Sequence, residues 1–180
     1  MFVWVVEHRV SGLDWLFVAL TVSAHAALLW IALAPVLAHL AGRRPLPVTL
    51  VTAATVWTAD VIAILLKTAF DRDRPYLSVA QADPLLRWDV STSLPSGHAA
   101  TSAAGAVILA FMLGRWGWAL GALAFAVCYS RVYVGVHYPL DVLLGAAIGV
   151  TVGVAARVAV RRLLPTSRAP RRSGAATPGG

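Results

Sequence analysis

The sequence predicts an all-α protein, a polytopic bundle of about five transmembrane helices, on three grounds. Only 13% of its 180 residues are charged and 59% are hydrophobic, whereas about a quarter of the residues in a soluble domain are charged. The mean hydropathy is +0.75. Apolar segments also reach the roughly 20 residues that a helix needs to cross a bilayer. We therefore expect a single transmembrane domain over residues 1–164.

The apolar segments are separated by residues that break helices or interact with water. They are expected over residues 13–40, 46–70, 97–113, 118–134 and 139–164. Gly and Pro end the first segment at residues 42–45, and a Gly-Arg-Trp-Gly turn separates the third segment from the fourth. A polar loop over residues 71–94 separates the second segment from the third.

The two ends of the chain differ in composition from the apolar segments. Residues 1–10 have no basic region before their apolar part, so we expect a short helix on the membrane surface rather than a cleaved signal peptide. If that helix inserts instead, the bundle has about six spans. Residues 165–180 are rich in Arg, Pro, Gly and Ser. Such a composition cannot build a core, and we expect a disordered, basic cytoplasmic tail.

Small residues recur at helical spacing in the last apolar segment. Gly145, Gly149 and Gly153 are four residues apart. On a helix they share one face, and the absence of side chains lets a neighbouring helix approach closely. The third segment has Ala99 and Ala103 in the same arrangement. We therefore expect these faces to pack helix against helix.

The net charge of +7 comes largely from arginines in turns and in the tail. With five spans, nine arginines and no acidic residue fall on one side of the membrane: Arg43, Arg44, Arg115, Arg157, Arg161, Arg162, Arg168, Arg171 and Arg172. The positive-inside tendency places this side in the cytoplasm, with the C-terminus, and places the N-terminus and the polar loop outside. We expect a multi-pass plasma-membrane protein whose partner is the bilayer and not nucleic acid.

Polar clusters interrupt the apolar pattern at the outer ends of helices. They are Lys-x6-Arg-Pro over Lys67–Pro75, Pro-Ser-Gly-His over Pro95–His98, and Ser-Arg-x5-His-x3-Asp over Ser130–Asp141. Taken singly, Lys67, Arg74 and Arg131 are typical of side chains that snorkel to the interface. Together on one side of a small bundle, the cations repel one another unless an anion joins them. Arginine forks match phosphate oxygens, which indicates a phosphate site.

The other two clusters add an anion site and a possible nucleophile. Ser96 can cap the third helix, whose first N–H groups then face an anion, and Gly97 lets a phosphate come close. Pro139 is expected in the first turn of the fifth helix, with His137 just before that helix and Asp141 inside it. The Asp141 carboxylate can then accept a hydrogen bond from one imidazole nitrogen and leave the other to attack.

With all three motifs complete and in order, the chain resembles the type 2 phosphatidic acid phosphatase (PAP2) superfamily. That superfamily of lipid phosphatases shares its site with vanadium haloperoxidases and bacterial nonspecific acid phosphatases. The resemblance implies an integral-membrane lipid phosphatase that needs no metal or other cofactor. It implies that His137 is a nucleophile that forms a phosphohistidine, that Asp141 orients it, and that His98 protonates the leaving oxygen.

The same resemblance implies which residues hold the phosphate: Lys67, Arg74, Arg131, Ser96 and Gly97. The expected substrate is a membrane lipid phosphate, because the site lies at the outer membrane boundary where lipid headgroups sit. The candidates are a polyprenyl diphosphate, such as undecaprenyl diphosphate, and a phosphatidate-type glycerolipid. The polyprenyl diphosphate is preferred because the chain is minimal and its site faces outside.

Other functions could use the same polar residues. A lipid phosphotransferase would pass the phosphate to a hydroxyl acceptor, and a haloperoxidase would hold vanadate, although haloperoxidases of this superfamily are soluble. A small transporter or channel subunit is disfavoured, since the polar residues lie at one boundary rather than across the membrane. A zinc ion on His98, His137 and Asp141 is disfavoured by the neighbouring cations.

Several polar residues outside the motifs have more than one interpretation. Asp60 lies inside the second segment, where a carboxylate either serves function or bonds a hydroxyl such as that of Thr55 or Ser102. His25 is expected to be a packing or interfacial residue, as lone histidines usually are. Arg72 either reaches the phosphate or forms a solvated ion pair with its neighbouring loop carboxylates.

Overall fold

The computed structural model describes residues 1–87 and 92–163, and every regular element in these ranges is helical. The all-α prediction is therefore confirmed. The α-helices are α1 (Phe2–Glu7), α2 (Asp14–Ser23), α3 (Leu28–Leu40), α4 (Pro45–Phe70), α5 (Pro75–Ser78), α6 (Gly97–Leu113), α7 (Gly117–Tyr133) and α8 (Pro139–Leu163). Short 3-10 turns at Ser11–Leu13 and His25–Ala27 precede α2 and α3. The tail predicted over residues 165–180 lies outside the described residues.

Helix α6 forms the centre of the bundle and packs against α4, α7 and α8. Its closest neighbour is α8, and the glycines of α8 make that approach possible. A Cβ atom on Gly149 would collide with the Ala100 carbonyl oxygen, and one on Gly153 would lie 2.8 Å from Val107 Cβ. The predicted close packing of the two small-residue faces is therefore confirmed, because neither position leaves room for a side chain.

The first apolar segment is not one helix, as the sequence pattern suggested, but two helices bent by 82°. Ala27 adopts the left-handed conformation at the break, with φ of 63°. Polar contacts on different helices explain the bend. Before the break, Thr21 Oγ1 lies 2.7 Å from Ser130 Oγ on α7. After it, Trp30 Nε1 donates to Ser102 Oγ on α6 at 3.1 Å.

The lengths of the described helices bear on the number of membrane spans. Two described segments are long and apolar enough to cross a bilayer, Pro45–Ser78 and Pro139–Leu163, and the bent pair would add a third if it is one span. Helix α6 is apolar but has only 17 residues. The count of about five spans, and the surface position expected for the N-terminal helix, stay predictions.

The order of the helices brings four helix ends together at one end of the bundle. Helices α6 and α8 run parallel, and the Ser96 N–H donates to the Asp141 carbonyl at 2.9 Å where both begin. Helices α4 and α7 run the other way and end at the same level, since Lys67 at the end of α4 donates to the Thr92 carbonyl just before α6. This end of the bundle holds all three polar clusters.

Candidate functional site

The three motif clusters meet where α4 and α7 end and α6 and α8 begin. Lys67 lies in the last turn of α4 and Arg131 in the last turn of α7. His98 lies in the first turn of α6. His137 precedes α8, and Asp141 occupies its first turn behind Pro139, as the sequence predicted. Residues far apart in sequence therefore surround one volume.

His137 is fixed between a carboxylate and a cation. Its side chain is buried, and Nδ1 lies 3.5 Å from Asp141 Oδ2. On the other side of the ring, Nε2 lies 3.4 Å from Arg74 Nη1. With an Nδ1–H directed at the carboxylate, Nε2 carries the lone pair and faces the cationic side of the site. That is the orientation a nitrogen nucleophile needs.

Asp141 is itself held by several donors. Its Oδ2 atom accepts the Tyr138 N–H at 2.9 Å, and its Oδ1 atom accepts Arg72 Nη1 at 2.9 Å. The carboxylate is fully buried. Because both oxygens are bound, the carboxylate cannot rotate away from His137 without breaking charge-assisted hydrogen bonds.

The arginines of the site do not behave as interfacial anchors. Arg74 and Arg131 are each only 1% exposed, whereas a snorkelling side chain keeps its charged head in water. Arg74 donates to the Val136 carbonyl at 3.0 Å and to the Thr92 carbonyl at 3.4 Å. Lys67 donates to the same Thr92 carbonyl. Cations gathered at one end of the bundle favour an anionic ligand, because like charges repel one another unless an anion lies among them.

The start of α6 supplies the helix terminus that the sequence predicted. Ser96 Oγ accepts the Ala99 N–H at 3.5 Å, which makes Ser96 the N-cap. Gly97 follows, and a Cβ atom there would lie 3.0 Å from Asp60 Oδ1. The sequence assigned the open space at Gly97 to a phosphate; in the structure, the Asp60 carboxylate lies against it.

His98 is positioned by the N-terminal part of the chain. Its ring hydrogen-bonds the Thr21 backbone, and it is within electrostatic reach of Arg131 and His137. The ring of His25 lies beside it, with 5.9 Å between ring centroids. A backbone partner on one ring nitrogen fixes the orientation of the ring, so the other nitrogen can exchange a proton with a bound ligand.

A cavity of about 250 Å³ lies among these groups. Its walls include Ala24, His25, Ala27, Asp60, Ile64, Lys67, Gly97, His98, Thr101 and His137. The volume is slightly below the roughly 300 Å³ at which drug-sized pockets begin. It suits the head of a larger molecule, with both proposed catalytic histidines in its wall.

Metal ligation has no support in the described residues. Over residues 1–87 and 92–163, no group of three or more His, Cys, Asp or Glu side chains is arranged to hold a metal ion. His137 Nδ1 lies 3.5 Å from Asp141 Oδ2, and that carboxylate accepts hydrogen bonds from the Tyr138 N–H and from Arg72. The expectation of a metal-free reaction stays a prediction.

Comparison with known proteins identifies the family. The profile described as PAP2 superfamily matches residues 48–164, which include all three motif clusters. The chain belongs to the PAP2 superfamily. The crystal structure of a transmembrane PAP2-type phosphatidylglycerolphosphate phosphatase from Bacillus subtilis has the same fold, with a TM-score of 0.74, 23% identity, and coverage of 90% of this chain and 83% of that one. Aquifex aeolicus LpxE superposes with a TM-score of 0.73 at 29% identity, covering 86% of this chain and 91% of that chain.

Curated PAP2 relatives carry several different names. An undecaprenyl-diphosphatase of Sulfolobus acidocaldarius is 38% identical over 117 residues, or 64% of this chain and 56% of that protein. A decaprenylphosphoryl-5-phosphoribose phosphatase of Mycolicibacterium smegmatis is 36% identical over 122 residues, or 64% of this chain and 62% of that protein. The chain thus spans less than two thirds of the length of these relatives.

Arg72 of this PAP2 chain has a partner that sequence reasoning missed. It was expected to reach the phosphate or to pair in solvent with loop carboxylates. Instead it donates to Asp141, and its guanidinium lies over the Tyr138 ring, 4.2 Å from the centroid. The available signal was weak: an arginine two residues before Arg74 in a loop. Only the folded chain places that loop against α8.

His25 and Asp60 also have positions that the sequence did not indicate. His25 is not packed in the core but lines the cavity beside His98. Asp60 lines the same cavity, and the hydroxyls suggested as its partners have other contacts. Thr55 donates to the Val51 carbonyl, and Ser102 accepts from Trp30. The Asp60 carboxylate therefore belongs to the cavity wall.

Proposed function

We propose that this PAP2 protein is an integral-membrane phosphatase that removes a phosphate from a membrane lipid through a phosphohistidine on His137. The observation that carries the proposal is the geometry of His137. Its Nδ1 atom faces the Asp141 carboxylate at 3.5 Å, and its Nε2 atom faces the buried Arg74 guanidinium at 3.4 Å. A phosphate bound to the cations would lie next to the nitrogen that attacks it.

The proposed reaction has two steps. In the first, Nε2 of His137 forms a bond to phosphorus, the bond from phosphorus to the leaving oxygen breaks, and that oxygen takes a proton from His98. In the second, a water oxygen forms a bond to phosphorus as the bond from Nε2 to phosphorus breaks, His98 accepts a proton from that water, and inorganic phosphate leaves. Phosphoryl transfer depends mainly on positioning and charge stabilisation. Lys67, Arg74 and Arg131 would supply that stabilisation, with the N-terminus of α6.

The proposed substrate is a polyprenyl diphosphate or a phosphatidate-type glycerolipid. The undecaprenyl-diphosphatase among the named relatives supports the polyprenyl diphosphate. The outer surface of the bundle also supports a lipid. Large apolar side chains there are exposed, among them Trp57, Phe125 and Leu143. A lipid tail can lie against such a surface while the headgroup enters the cavity.

The site is proposed to face the cell exterior. The arginines of the described turns lie at the opposite end of the bundle from the motifs, because they precede α4, separate α6 from α7 and end α8. Two of them, Arg157 and Arg161, lie over the Phe111 ring near that end. The positive-inside tendency then supports a cytoplasmic position for that end.

Phosphate release from purified lipid phosphates tests the proposal. The protein in detergent micelles is incubated with a polyprenyl diphosphate and with phosphatidate, with and without EDTA, and the His137→Ala variant is the control. We expect release that survives EDTA and is inhibited by vanadate, since side-chain cations neutralise the charge. No release from any lipid would contradict the function. Loss in EDTA with recovery in zinc would contradict the metal-free mechanism.

A further inference from the structure

The cavity has an inner wall that the proposed reaction leaves unused. Lys67, His98 and His137 line the side where the phosphate is proposed to bind, and Gly97 lies between that side and Asp60. The inner wall is formed by the remaining residues: Ala24, His25, Ala27, Asp60, Ile64 and Thr101. Most of these are small or apolar, and two are not. His25 and Asp60 therefore determine what the inner wall can bind.

Asp60 brings a carboxylate into the membrane-embedded part of the bundle. It precedes Lys67 by seven residues on α4, which places it about 10 Å deeper along the helix axis. It lies against Gly97 and within electrostatic reach of Lys67 and His25. Ionisable residues inside a membrane helix are rare and usually functional, because their burial is unfavourable.

The bend before α3 brings His25 to the same wall. The chain turns by 82° there, and Ala27 adopts a left-handed conformation that is unfavourable for a residue with a side chain. Non-helical backbone at membrane depth is tolerated where it lines a cavity. The consequence of this break is that the His25 ring lies 5.9 Å from the His98 ring.

The position beside His98 indicates which part of a substrate meets the inner wall. His98 is proposed to protonate the leaving oxygen, so the group attached to that oxygen would lie next to His98 and extend toward His25 and Asp60. A hydroxyl both donates and accepts, and it can therefore pair with a carboxylate and an imidazole together. A second phosphate offers acceptor oxygens and negative charge, which the Asp60 carboxylate repels.

We infer that the inner wall is a leaving-group subsite for a hydroxyl-bearing leaving group, such as a glycerol or sugar carbon skeleton, and that Asp60 is its specificity-determining residue. The inference rests on the proposed phosphatase function. Within that function it favours a polyol or sugar phosphate over the diphosphate that the sequence suggested. Asp60 accepts a hydrogen bond from the hydroxyl beside the ester oxygen, and His25 lies on the other side of that hydroxyl.

A matched pair of substrates isolates the contribution of the hydroxyl to kcat/KM. Lysophosphatidate has a free hydroxyl beside the phosphorylated carbon, and its deoxy analogue lacks only that hydroxyl. Fully buried sites that bond a substrate hydroxyl can reject such analogues by several orders of magnitude. At Asp60, which is only partly buried, we expect a preference of about tenfold in kcat/KM. In Asp60→Ala, which leaves no acceptor for the hydroxyl, the preference should fall to about twofold or less, and His25→Gln should lower it in the same direction.

A prenyl diphosphate and a control variant complete the experiment. Removing the Asp60 charge should raise the rate on the diphosphate relative to lysophosphatidate. Asp71→Asn removes a carboxylate from the exposed end of α4, at a left-handed residue where Asn is equally acceptable, and should leave the preference unchanged.

The outcomes test the proposed subsite and the proposed phosphatase function separately. A wild-type protein that does not distinguish the matched pair, or an Asp60→Ala variant that loses all three substrates equally, overturns the subsite while the phosphatase function stands. A wild-type protein that hydrolyses none of the three lipids overturns both.

Discussion

The two histidines of the site have different surroundings. His137 is 1% exposed, and the carboxylate beside it is bound by a backbone N–H and by Arg72. His98 lines the cavity together with His25 and Asp60. The difference is what the proposed roles require. A nucleophile is most effective when its orientation is fixed, whereas the group that protonates a leaving oxygen must border space for the leaving group.

Leaving-group dependence should separate the histidines, and it has the largest expected effect. His137→Ala should be inactive on every substrate, because no covalent intermediate can form. His98→Ala should lose about 100- to 10,000-fold on an alkyl phosphate and much less on nitrophenyl phosphate, whose phenolate leaves without a proton. Steady-state rates on both esters measure this. Rescue of His137→Ala, rather than His98→Ala, by nitrophenyl phosphate would reverse the two roles.

The cations of the site should come next in effect. Lys67→Ala, Arg74→Ala and Arg131→Ala should each lower turnover about 100-fold or more, as loss of an oxyanion donor does in comparable sites. Arg115→Ala is the control, since that arginine stacks on Trp116 at the other end of the bundle. Initial rates on membrane-inserted protein give the comparison. Near-normal rates for two of the three site variants would show that those residues do not hold the phosphate.

The Arg72 variant tests whether the residues that hold Asp141 also keep His137 oriented. Arg72→Gln should lower kcat about 10- to 100-fold, because a small displacement of Asp141 misaligns the imidazole. The loss should be the same for alkyl and nitrophenyl phosphates, since it acts through His137 and not through the leaving group. Arg87→Gln, at an exposed arginine of the same loop, is the control. A loss of kcat that depends on the leaving group would show that Arg72 acts through His98 and the leaving group instead.

The sequence predicted the positions of the motif residues better than the positions of the residues in the inner wall. His137 and Asp141 could be placed because Pro139 marks the start of α8, and the starting position of α6 follows from its Ser96 cap. The all-α fold followed from the apolar composition. His25 could not be placed, because the bend before α3 depends on contacts that Thr21 and Trp30 make with other helices.

Sequence reasoning also missed an ion pair between residues that are far apart in the chain. Arg72 lies beside two aspartates in sequence, and a local ion pair was the simpler interpretation. Its actual partner, Asp141, is 69 residues away. Local spacing predicts which groups an element presents, but pairing between a loop and a distant helix is decided by tertiary packing.

Trapping the phosphorylated protein tests the proposed mechanism most directly. Protein quenched in alkali during turnover of a labelled lipid phosphate should carry an acid-labile, alkali-stable phosphate, and mass spectrometry should place it on His137. His98→Ala should still become labelled by nitrophenyl phosphate, because attack by Nε2 does not need the leaving-group proton. A turning-over enzyme with no label, or with its label on His98, would contradict nucleophilic attack by His137.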